Sequence, residues 1–116
     1  VEKASPLSDT TTTGTTIPVC PLSELGPGAM RLIEHEGTKI GVFNCDGALY
    51  AIEDRCSHDD GPLAEGELDA AACTVECPRH GSLFDLTTGR PKTLPAYAPV
   101  RTFATAVVDD TIVLEV

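Results

Sequence analysis

Two short arms, Cys56-Ser57-His58 and Cys77-Pro78-Arg79-His80, constrain this chain more than any other feature, and eighteen residues (59–76) separate them. Each arm offers one thiolate and one imidazole, with one residue between the pair in the first arm and two in the second, so both donors can point inward from a single turn. Soft and borderline metals prefer these two ligand types. A fold that serves them must bring two distant loops to one point, and residues 59–76 can do so as a short hairpin. The spacing leaves two metals open. One zinc can take two thiolates and two imidazoles, although structural zinc knuckles usually draw both thiolates from one short turn. A two-iron cluster with both cysteines on one iron and both histidines on the other matches the mixed arms more naturally.

The rest of the chain predicts an all-β domain. β-Branched residues, ten Gly and nine Pro in 116 residues point to many short strands joined by turns. The segments "AMRLIEH", "TKIGVFNC" and "ALYAIED" form an expected three-strand meander around Glu36-Gly37 and Asn44-Cys45-Asp46-Gly47. "ELDAAACTVEC" reads as a short hairpin leading into the second arm, and "VRTFATAVVDDTIVLEV" as a terminal hairpin around Asp109-Asp110. "PLSELGPG" has room for one helical turn with Ser23 as its N-cap. Residues 1–16, rich in Thr and Ser, lack the apolar surface to offset ordering and read as a flexible tail. Residues 17–116 make one domain.

Charge narrows the partners. Eight basic residues against eighteen acidic ones give a net charge of −10, which repels phosphate backbones and anionic membrane surfaces. Neither nucleic acid nor a membrane is expected, and a basic protein surface is the complementary partner. No stretch reaches the ~20 apolar residues a membrane span needs, and the N-terminus has no signal-peptide pattern. A cytoplasmic protein is expected. Five cysteines form no paired framework, so thiols are read as metal ligands, and Cys20, Cys45 and Cys73 as small buried apolar residues.

The pattern C-x-H and C-x2-H, followed directly by Gly81-Ser82-Leu83-Phe84-Asp85 and later by the proline-bearing loop "TLPAYAPV", resembles the cluster-binding segment of Rieske [2Fe-2S] proteins. The resemblance covers residues 17–116. It implies a β-sandwich of small antiparallel sheets with a cluster-binding subdomain at one tip and one [2Fe-2S] cluster per chain. Cys56, His58, Cys77 and His80 would be its ligands, with Ser82, Phe84 and Pro95 beside it and the two histidine edges reaching solvent. Respiratory and photosynthetic members usually carry an extra cysteine in each cluster loop. Those places match Gly61 and Arg79, so no staple forms there. They also usually carry a Tyr that donates to a ligating sulfur, where this chain has Phe84, while the other usual donor, Ser82, remains. What survives is similar to the soluble Rieske ferredoxins of multicomponent ring-hydroxylating oxygenases.

That resemblance implies an electron carrier and not an enzyme: a monomer passing single electrons from an NAD(P)H-dependent flavoprotein reductase to a terminal non-haem iron oxygenase. Two imidazoles in place of two thiolates make the oxidised cluster neutral, and Rieske centres accordingly lie at roughly −150 to +300 mV against about −400 mV for plant-type ferredoxins. Without the Tyr hydroxyl a potential low in that range is expected. Asp59, Asp60, Glu65 and Glu67 offer an acidic docking surface, and Pro62, Pro95 and Pro99 stiffen the surrounding loops. Two alternatives stand beside this reading: a fixed relay subunit resembling the small subunit of nitrite reductase, and a zinc-stabilised interaction module. No nucleophile elbow, phosphate loop or dinucleotide fingerprint is present.

Overall fold

A computed structural model of the chain describes residues 15–55, 61–64, 66–79 and 81–116. Strands β1 (Thr16–Pro21), β2 (Met30–His35), β3 (Thr38–Cys45), β4 (Ala48–Glu53), β8 (Thr102–Val108) and β9 (Thr111–Glu115) form one sheet in the order β1-β9-β8-β4-β3-β2. A second sheet has the order β5-β6-β7, from Leu68–Asp69, Thr74–Glu76 and Leu83–Asp85. Every strand pairing is antiparallel. Among the described residues the helical content is a single 3₁₀ turn, Leu22–Glu24. Pro21, not Ser23, occupies its N-cap position, and no side chain caps it.

The expected hairpins form because their two-residue turns match the twist of the strands. Glu36 and Gly37 have φ of 51° and 85°, and Asp46 and Gly47 have 55° and 107°, the positive values a primed turn requires and glycine adopts without steric cost. The terminal hairpin manages the same geometry with two aspartates, Asp109 at 51° and Asp110 at 64°. Aspartate tolerates this region better than most residues.

The β3–β4 ladder separates two cores. Ile40 and Val42 face a lower core with Leu25, Ala51, Phe103, Ile112 and Leu114. Phe43 and Cys45 face an upper core with Ile52, Leu63, Val75, Cys77, Phe84 and Leu86. Alternation along a strand sends neighbours to opposite sides, and here both sides are covered, so six consecutive residues of β3 are buried. The polar member of that run, Asn44, is satisfied: its Nδ2 donates to the Leu25 carbonyl at 2.8 Å and its Oδ1 accepts the Gly47 N–H at 2.6 Å. The upper core joins the small sheet to the large one.

Two cysteines correct the reading of thiols reserved for metal. Cys45, the last residue of β3, and Cys73, in the turn before β6, form a disulfide. Both are buried, as expected, but as a cross-link. The fold brings together positions 28 residues apart that no local spacing pairs.

Candidate metal centre

The first arm leaves β4 at Asp54 and returns at Leu63. One carboxylate oxygen closes this excursion: Asp54 Oδ1 accepts the N–H of Leu63 at 2.7 Å and of Ala64 at 2.6 Å. Asp54 is itself buried, and its own N–H donates to the Lys39 carbonyl at 2.8 Å. Just beyond, Gly66 passes so close to the Glu76 carbonyl that a Cβ there would overlap it. The return of the first arm is thereby packed onto the strand that carries the second.

That second arm is a tight turn at the end of β6. Cys77 N–H donates to the Ser82 carbonyl at 2.8 Å, and Gly81 N–H donates to the Cys77 carbonyl at 2.9 Å. Cys77 is completely buried and its thiol is not in a disulfide. The proline-bearing loop packs alongside. Ser82 Oγ accepts the Ala96 N–H at 3.0 Å, Thr93 Oγ1 accepts the Leu83 N–H at 2.9 Å, and Lys92 N–H donates to the Leu83 carbonyl at 2.6 Å. Beyond β7, Asp85 Oδ1 accepts both the N–H and the hydroxyl of Thr87, at 2.8 and 2.7 Å. The Thr87 hydroxyl holds the Asp85 carboxyl below its usual range, against an opposing contribution from partial burial.

Of the residues expected at the site, Cys77, Ser82, Phe84 and Pro95 are described. The structure puts Cys77 and Phe84 in one buried core and ties Ser82 to Ala96, the neighbour of Pro95. Cys56, His58 and His80 lie outside the described residues, as do Asp59, Asp60 and Glu65 of the expected acidic surface. Sequence reasoning missed Asp54, whose position at the end of a strand ahead of a loop is a usable signal for a residue that gathers backbone N–H groups. It also missed Thr93, for which no signal exists.

The Rieske [2Fe-2S] domain matches residues 15–104. The chain belongs to this family. Over 98 residues it is 41% identical to the 3-phenylpropionate/cinnamic acid dioxygenase ferredoxin subunit of Photorhabdus laumondii, covering 84% of this chain and 91% of that protein. The ferredoxin of carbazole 1,9a-dioxygenase from Nocardioides aromaticivorans superposes with a TM-score of 0.82 at 33% identity, covering 87% of this chain and 97% of that one. A chain in the complex of reduced oxygenase and oxidized ferredoxin in carbazole 1,9a-dioxygenase gives 0.82 at 31% identity, covering 89% and 94%. A Rieske domain binds a [2Fe-2S] cluster, and the described residues fit one. Cys77 is a buried thiol outside any disulfide. Beside it Ser82 is fully buried with its oxygen accepting a backbone N–H, which leaves its proton for another acceptor.

Proposed function

We propose that this Rieske protein is a low-potential one-electron carrier, passing electrons from an NAD(P)H-dependent flavoprotein reductase to a terminal non-haem iron oxygenase. The buried Cys77, with its backbone N–H held by the Ser82 carbonyl and its side chain in the upper core, is the observation that carries the reading. Cys56 and Cys77 would ligate one iron and His58 and His80 the other. When bound, the cluster takes up and releases one electron. The chain's own part is to hold the thiolates dry, aim the Ser82 hydroxyl and keep the surrounding loops rigid. The match to ferredoxin subunits over nearly their whole length favours a diffusible carrier over a relay subunit. Among the described residues no helix is long and apolar enough to cross a membrane. The proposal takes the carrier to work as a monomer in the cytoplasm, where an NAD(P)H-dependent reductase would be supplied. An electron paramagnetic resonance spectrum of the reduced protein with the g pattern of a mixed nitrogen and sulfur centre supports this function, and colourless protein holding one zinc per chain overturns it.

Phe84 is fully buried and brings no donor to the site. A hydrogen bond that favours the reduced, more negative state by about 1 kcal/mol raises a one-electron potential by roughly 40 mV. Phe84→Tyr is therefore expected to move the midpoint upward by about that amount in a redox titration. An unchanged midpoint shows that the hydroxyl finds no cluster sulfur.

Docking of the oxygenase is assigned to the face beside the second arm. Leu94 and Tyr97 are 77% and 83% exposed on a loop whose backbone is stitched to Ser82 and Leu83, with Arg90 and Lys92 lining the same shallow depression. Rigidly presented apolar side chains lose little freedom on binding. A chain 31% identical to this one comes from the complex of reduced oxygenase and oxidized ferredoxin in carbazole 1,9a-dioxygenase, which supports an oxygenase as the occupant. The acidic side, of which Glu67 is described and exposed, is left to basic partner surfaces. Leu94→Ser with Tyr97→Ser is expected to raise the KM for the carrier in oxygenase turnover about tenfold or more and leave the midpoint alone. An unaltered KM would move the docking face elsewhere.

A further inference from the structure

We infer that the Cys45–Cys73 disulfide is a redox-responsive clasp that governs how long the protein retains its cluster, an inference that rests on the Rieske reading above. Cys45 ends a strand of the large sheet, and Cys73 sits in the turn that starts the main strand of the small one. No ladder of backbone hydrogen bonds joins the two sheets among the described residues, so the cross-link adds a third covalent tie to the two backbone connections between body and tip, from β4 to β5 and from β7 to β8. The ring it closes spans residues 45–73 and contains both first-arm ligands, Cys56 and His58, while Cys77 follows shortly after its far end. Cys73 also anchors the exit from the second arm, because its carbonyl accepts the Leu86 N–H at 3.0 Å. Both ends of the β6–β7 hairpin therefore hang on this residue. Its φ of 56° lies in the left-handed region that cysteine disfavours, a conformation the cross-link helps to hold. Both cysteines lie in the upper core with Cys77 and Phe84, so loosening the clasp reaches the ligand turn through packed side chains.

The switch is thiol–disulfide exchange with a dithiol, of the kind a reducing cytoplasm supplies. The S–S bond breaks, two electrons and two protons pass from the dithiol to Cys45 and Cys73, and the dithiol closes to its own disulfide. Because both cysteines are buried, at 7% and 9% exposure, exchange requires local opening of the tip. A cross-link between residues 28 apart suppresses such opening on the order of a hundredfold.

The test compares three holoprotein samples: wild type as isolated, wild type treated with dithiothreitol, and Cys45→Ala with Cys73→Ala. Alkylation under denaturing conditions, read by mass, reports the state of the two thiols, and a ferrous chelator reports iron release. The expected result is a disulfide in the untreated protein and iron release on the order of a hundredfold faster in the other two samples. The double variant should be indifferent to dithiothreitol, which excludes direct attack of the reagent on the iron, and its midpoint potential should be unchanged. If the double variant does not fold, Cys45→Ser with Cys73→Ser takes its place as the control. Equal iron release from oxidised and reduced protein overturns the inference and leaves the carrier function standing. So does finding both thiols free in the untreated protein. A chain without iron or inorganic sulfide overturns the carrier function, and this inference with it.

Discussion

Cys77→Ser is expected to give a colourless protein that has lost iron and inorganic sulfide together. Serine is nearly the same size, so the buried turn closed by the Cys77–Ser82 and Gly81–Cys77 hydrogen bonds can still form. The chemistry is what changes. A thiol gives up its proton near neutral pH and offers a soft, polarisable sulfur, whereas a serine hydroxyl stays protonated and offers a hard oxygen. With one of the two proposed thiolate ligands gone, one iron would keep a single sulfur ligand from the chain. Iron and sulfide assay checks the result, and circular dichroism of the same sample confirms that the strands persist. A variant that kept its full iron content would mean that Cys77 is a core residue and that the thiolate comes from elsewhere. Cys20 is the other free cysteine among the described residues, but it lies in the lower core, on the far side of the β3–β4 ladder.

Asp54→Ala is expected to destabilise the domain by about 3 kcal/mol, which for a chain of this size lowers Tm by roughly 10–20 °C. A single oxygen accepts two backbone N–H groups, those of Leu63 and Ala64, and both residues are buried, at 0% and 5% exposure. Alanine leaves both donors without a partner where water cannot easily reach them, and each such donor costs about 1–3 kcal/mol. The damage falls at the base of the first arm, so cluster content should drop along with stability. Asp54→Asn retains an acceptor oxygen and should recover a large part of the loss. A melting temperature unchanged in the alanine variant would show that the arm is closed by other contacts.

Elements set by neighbouring residues were legible in the sequence. The hairpins at Glu36-Gly37, at Asp46-Gly47 and at Asp109-Asp110 lie where turn residues interrupt alternating apolar runs, and the short β5–β6 hairpin falls where the second arm needs it. Contacts between distant segments were not. β1 pairs with β9 from Thr16↔Glu115 to Pro21↔Thr111, and the short apolar stretch from Ile17 carries no signal of that partner. β7 completes the small sheet through Val75↔Phe84, although Leu83-Phe84-Asp85 by itself is too short to declare a strand. The 3₁₀ turn starts two residues earlier than a serine cap would place it, because Pro21 ends β1 there. At the site, Cys77 lies in a buried tight turn with Ser82 beside it, where local spacing put them, while Cys56, His58 and His80 lie outside the described residues. The cross-link between Cys45 and Cys73 was not legible, since only the packed upper core brings them together.

The ladder of β3 and β4 acts as a party wall. Val42 belongs to one room and Phe43 to the other, as do Ala51 and Ile52, so adjacent codons answer to different tenants. Core residues on the tip side can therefore be exchanged while the foundation keeps its own packing, and the reverse.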